Sequence, residues 1–127
     1  MLDKVKTQDP DDVELLALAG ILHSFYSGFE NIFKRIVKDI DGGFAKTESW
    51  HADLLEKMAV STLLRSAVIT ESLKIRLQFF LSFRHAFRSM YSYNLNWPKM
   101  KGLIFDSQEI LVLVEKELND FMRNNAE

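Results

Sequence analysis

The stretch Phe83-Arg84-His85-Ala86-Phe87-Arg88-Ser89-Met90-Tyr91 gathers two arginines, a histidine and a tyrosine into little more than two helical turns. At about 100° of rotation per residue, Arg84 and Tyr91 point almost the same way, and Arg88 sits about 40° round from Arg84. His85 and Ser89 follow on the next strip, while Phe83, Phe87 and Met90 face mostly elsewhere. Burying such a polar cluster unpaired is costly, so it is expected to line a cleft or an interface. Guanidinium groups in that setting suit a phosphate. Between Glu71 and Tyr93 the cations Lys74, Arg76, Arg84 and Arg88 stand against one anion, Glu71, in a chain of net charge −2. A local basic face of this kind can hold a phosphodiester on an acidic protein. The same charges also fit a solvated face, and Arg84 and Arg88 also fit ion pairs with carboxylates across a helix interface.

The elements that must position this cluster are helical throughout, and no strand pattern is present. The first helix opens at Pro10-Asp11-Asp12-Val13-Glu14, where Asp11 and Glu14 have capping-box spacing. Its seam runs through Leu15, Leu18, Leu22, Phe25, Phe29, Ile32 and Ile36, and it stops at Asp41-Gly42-Gly43. Gly20 and Gly28, two full turns apart, suggest a close helix approach. A second helix starts near Thr47-Glu48-Ser49 with Trp50, Leu54 and Met58 on one stripe. Residues 61–69 read either as loop or as a ragged helix end. The third helix takes Thr70 as N-cap and runs to about Tyr93. After a short link, Asn96 caps the fourth, with Pro98 in its first turn. That helix carries Trp97, Met100, Ile104, Leu111, Val114, Leu118 and Phe121, a series interrupted by Ser107. Connections this short predict an antiparallel four-helix bundle.

At 127 residues the chain reads as one domain, with residues 1–10 a flexible or short lead-in. Its 47% hydrophobic and 27% charged composition is ordinary for a globular protein. No apolar run nears the roughly 18–20 residues that cross a bilayer, and the first residues lack a signal-peptide core. With no cysteine, disulfides and thiolate metal sites are excluded, and the expected address is cytoplasmic. His51 and Asp53 diverge by roughly 200° on a helix, and no spacing supports a metal site; His23 and His51 read as structural histidines. A P-loop and a serine-nucleophile elbow are both missing, so no cofactor is expected.

Taken together, these residues resemble the HepT-like group of HEPN domains. The HEPN signature is arginine, four residues, histidine, one residue, tyrosine; Arg84 and Tyr91 match its ends. Phe25-Tyr26-Ser27-Gly28-Phe29-Glu30-Asn31-Ile32-Phe33, Trp50-His51-Ala52-Asp53-Leu54-Leu55-Glu56-Lys57-Met58 and Leu95-Asn96-Trp97 extend the likeness over roughly residues 12–105. The resemblance implies a bundle that forms a homodimer through the third helix, around a shared cleft. It further implies a ribonuclease toxin that cuts RNA without a metal and is neutralised by a nucleotidyltransferase antitoxin. Arg84, with Arg88, would contact the RNA phosphate, and Tyr91 would be the hydroxyl that the antitoxin modifies, although Tyr91 also fits a core stripe with Leu77, Phe80 and Phe87. Glu30, i+4 from Tyr26, reads as a helix-face pair that the resemblance places in the cleft.

The position of the motif histidine is Ser89. Cleavage through the 2′-hydroxyl needs one group to take its proton and one to protonate the leaving oxygen. Imidazole does both near neutrality, whereas a serine hydroxyl does neither unless another residue activates it. Because acid–base catalysis contributes about 10²–10⁴-fold, the expectation is a weak or inactive nuclease. His85 is a candidate substitute, turned about 40° from Ser89 but displaced by about 6 Å along the helix. The alternative role for His85 is hydrogen bonding within the dimer. The rival reading of the whole chain is a non-catalytic module that pairs with the nucleotidyltransferase or binds RNA.

Overall fold

Local chemistry sets most helix boundaries in the computed structural model, which describes residues 2–88 and 95–125. A short helix, α1 (Leu2–Val5), precedes α2 (Asp12–Ile36). Asp11 caps α2 by accepting from Glu14 N at 2.8 Å, and Asp11 N donates to Glu14 Oε1 at 3.1 Å. That Glu14 oxygen also receives Lys4 Nζ at 3.0 Å, which with buried Val5 ties α1 to α2. At its far end α2 widens into a π-helical turn, Val37–Asp41, which Gly42 and Gly43 end at φ 85° and 103°. Only glycine adopts that left-handed geometry at no steric cost.

Three further helices follow: α3 (Trp50–Met58), α4 (Glu71–Arg88) and α5 (Trp97–Asn124). The Thr70 hydroxyl accepts from Leu73 N at 3.2 Å, and the Asn96 side chain accepts from Lys99 N at 3.3 Å, so both expected caps form. Among the described residues there is no strand, and α4 packs against α2, α3 and α5. Side-chain contacts between helices give the directions. Thr70 meets Glu117 and Arg76 meets Glu109, so α4 and α5 are antiparallel. Lys74 meets Glu56 and Arg84 meets His51, so α3 and α4 are antiparallel too. The predicted all-α four-helix bundle is therefore the fold, with α2 and α4 each packed against the other three main helices.

The core keeps the predicted seams of α2 and α5 except at single positions. On α2, Tyr26 and Phe33 are fully buried, while Ile32 is 42% exposed. On α5, Ile110 is buried and Leu111 is 41% exposed. Ser107, where the apolar series breaks, turns its hydroxyl back to donate to Ile104 O at 2.7 Å. Among the described residues, Gly20 and Gly28 do not mark a close helix contact: a Cβ at either would meet no atom beyond its own stretch of helix within 4 Å. The third predicted helix was expected to reach Tyr93; α4 is described to Arg88, and residues 89–94 lie outside the described part.

Residues 61–69 form a loop built round a buried arginine. Arg65 Nε and Nη2 donate to Asp41 Oδ1 and Oδ2, both at 2.9 Å. The same side chain donates to the carbonyls of Val60, Ser66 and Lys57. Its side chain has 0% exposure and that of Asp41 6%, so the pair is desolvated and fully bonded. Removing one partner of such a pair typically costs about 3–5 kcal/mol, because the other charge is left buried. Asp41→Ala should lower unfolding free energy in urea by that amount; a loss below about 1 kcal/mol would show that the pair does not hold the loop.

Candidate functional site

Glu30 occupies a core position. It lies one turn beyond Tyr26 and between Phe29 and Phe33, all of them buried, and its side chain is only 3% exposed. A carboxylate there is costly unless each oxygen is satisfied. Arg84 Nη1 on α4 donates to Oε1 at 2.8 Å, and His51 Nδ1 on α3 bonds Oε2 at 2.7 Å. Three helices thus meet at one carboxyl group. The lengths are those of charge-assisted hydrogen bonds.

These bonds also assign the imidazole. Paired with a guanidinium, the Glu30 carboxylate can only accept, so the hydrogen in the short contact belongs to His51 Nδ1. When the ring is neutral, its lone pair is then on Nε2. The 3.5 Å approach of Arg84 Nη1 to His51 Nδ1 becomes a contact between two donors, each bonded to its own oxygen of one carboxylate.

Aromatic rings close round this set. Trp50 stacks on His51 at 3.6 Å between centroids. Lys34 and Lys46 lie over the Trp50 ring at 5.5 and 5.3 Å. The Arg84 guanidinium carbon is 5.9 Å from the centre of the Tyr26 ring. Burial, and next the Glu30 charge, push the Tyr26 phenol far above its ordinary value against the opposing influence of Arg84. Arg84 Nε is buried without a partner among the described residues.

Arg84 and His51 are not sealed in. A hollow of about 350 Å³ opens beside them, lined also by Glu48 and His85. A second, of about 540 Å³, is lined by both and by His23, Glu30, Lys34 and Trp50. The two residues therefore form the wall between two open spaces. An arginine and an oriented imidazole there can bind an anion and move a proton. Among the described residues, no group of His, Asp or Glu is arranged to hold a metal ion.

The sequence profile of the family described as HepT-like protein matches residues 17–125. The chain belongs to the HepT-like family. No curated protein and no solved structure matches it. Of the residues expected at the site, Arg84 is in the three-helix junction, and His85, the candidate substitute for Ser89, is exposed on α4 beside it. Ser89 and Tyr91 lie outside the described residues, as does the side chain of Arg88.

Among the described residues, the cations of the expected basic face are neutralised pair by pair. Lys74 binds Glu56 and Glu71 at 2.8 and 2.7 Å, and Arg76 binds Glu109 at 3.0 Å. The Lys74 ammonium is raised above its ordinary value, first by Glu56 and then by Glu71. Arg84 itself is compensated by Glu30. Sequence reasoning missed His51 as a member of the site, although its neighbours Trp50 and Leu54 on the core stripe signalled that α3 turns that edge inward.

Glu30→Ala should destabilise the chain by about 3–5 kcal/mol, since it strands the Arg84 charge. Glu30→Leu combined with Arg84→Met should recover most of that loss. A double-mutant cycle by urea unfolding measures it; coupling within about 0.5 kcal/mol of zero would show that the two residues do not act as a pair.

Proposed function

We propose that this HepT-like chain is the toxin-type component of a toxin–antitoxin module: a cytoplasmic, homodimeric, metal-independent endoribonuclease whose turnover is reduced by Ser89. The observation that carries the reading is the junction itself, in which the motif arginine is fixed by a buried carboxylate at the wall between two open hollows. A preorganised guanidinium of this kind stabilises charge that develops on a phosphate without reorganising at the moment of reaction. In the reaction, the RNA 2′-oxygen bonds to phosphorus as the bond to the 5′-oxygen breaks, leaving a 2′,3′-cyclic phosphate and a 5′-hydroxyl. Arg84 and Arg88 take the phosphate. Tyr91 is the hydroxyl that a nucleotidyltransferase antitoxin modifies.

One observation favours a second reading. With Lys74, Arg76 and Arg84 each bound to a carboxylate, α4 offers less free positive charge to RNA than its composition implies. A module that binds a nucleotidyltransferase without turnover accommodates that neutralisation.

Cleavage of a labelled RNA by the purified chain, beside its Ser89→His variant, separates the two. The ribonuclease reading expects the variant to be faster by about 10²–10⁴-fold, the usual contribution of a general acid–base. Equal inactivity of both proteins, with co-elution of the chain and a nucleotidyltransferase, would instead establish the binding module.

A further inference from the structure

We infer that His51 is the acid–base residue of this chain, supplying from α3 the proton transfers that Ser89 cannot make. The inference rests on the ribonuclease reading and adds a residue outside the arginine–serine–tyrosine motif. Three observations carry it.

The first is orientation. Glu30 Oε2 holds Nδ1 at 2.7 Å, and Trp50 stacks on the ring face, so the imidazole is fixed in both tilt and tautomer. A carboxylate in this position orients a catalytic histidine and stabilises its protonated form. The second is access. The His51 side chain is 23% exposed against 3% for Glu30, and it borders both hollows. The third is distance from the phosphate anchor. Nδ1 lies 3.5 Å from Arg84 Nη1, so a phosphate held by Arg84 is within one group's reach of the imidazole.

Proton balance closes with this one residue. Nε2 of the neutral ring takes the 2′-hydroxyl proton as the bond from the 2′-oxygen to phosphorus forms. The imidazolium then returns a proton to the departing 5′-oxygen as that bond to phosphorus breaks. Glu30 takes no part in the transfer and faces the transient positive charge. The charged or titratable groups round the ring are Glu30 and His23 on α2, with Lys34 beyond them, Arg84 and His85 on α4, and Glu48 before α3.

The experiment compares cleavage of one labelled RNA by the full chain, His51→Gln and Ser89→His across pH. Native cleavage should be slow but measurable, and His51→Gln should reduce it by about 10²-fold or more. The same variant should lose one limb of the native pH profile of kcat/KM. Thermal melting checks that His51→Gln folds; if it does not, His51→Ala with added imidazole decides, recovery of cleavage supporting the role and no recovery overturning it. Equal cleavage by native chain and a folded His51→Gln overturns the inference. So does a silent native chain beside an active Ser89→His, which leaves the ribonuclease reading intact. Silence of all three removes that reading, and the inference with it.

Discussion

A carboxylate with 3% exposure inside a helical bundle persists only while donors surround it, and at Glu30 those donors come from two other helices. Every feature of the site follows from satisfying that one group. Arg84 is drawn inward by it, His51 is given a tautomer by it, and Tyr26 and Trp50 pack where the three side chains meet. Replacing such a cluster with apolar residues is often neutral or stabilising. Its presence is therefore better explained by geometry than by stability: it fixes a guanidinium and an imidazole side by side.

The same logic accounts for α3. A helix of nine residues is shorter than the roughly 12–15 at which isolated helices become even marginal. Three apolar side chains, Leu54, Leu55 and Met58, attach it to the core. Polar clamps finish the job at both ends. His51 binds Glu30 in the first turn, while Arg65, from the loop that follows, donates both to Lys57 O in the last turn and to Asp41 at the end of the π-helical turn. Between them they set the rotation and the depth of α3, and through it the position of His51 relative to Arg84.

What was legible in the sequence was local. Asp11 with Glu14, the Gly42-Gly43 turn, Thr70 and Asn96 mark boundaries through contacts only a few residues long, and all four formed. The family followed from short ordered motifs for the same reason. What failed was long-range. His51 and Arg84 stand 21 and 54 positions along the chain from Glu30, so although Arg84 and Glu30 were each expected near a cleft, nothing local joined them to each other or to His51. Arg65 lay in a stretch with no clear period, and its partner Asp41 is 24 positions earlier. The charge excess on α4 misled because its counter-ions sit mostly on other helices.

Imidazole ¹⁵N chemical shifts of His51 in the folded native chain test the three-helix junction most directly. With the ring neutral, the arrangement described here predicts the proton on Nδ1 and a bare Nε2, as the 2.7 Å contact with Glu30 requires. A proton on Nε2, leaving Nδ1 to accept from Arg84 across 3.5 Å, would contradict it.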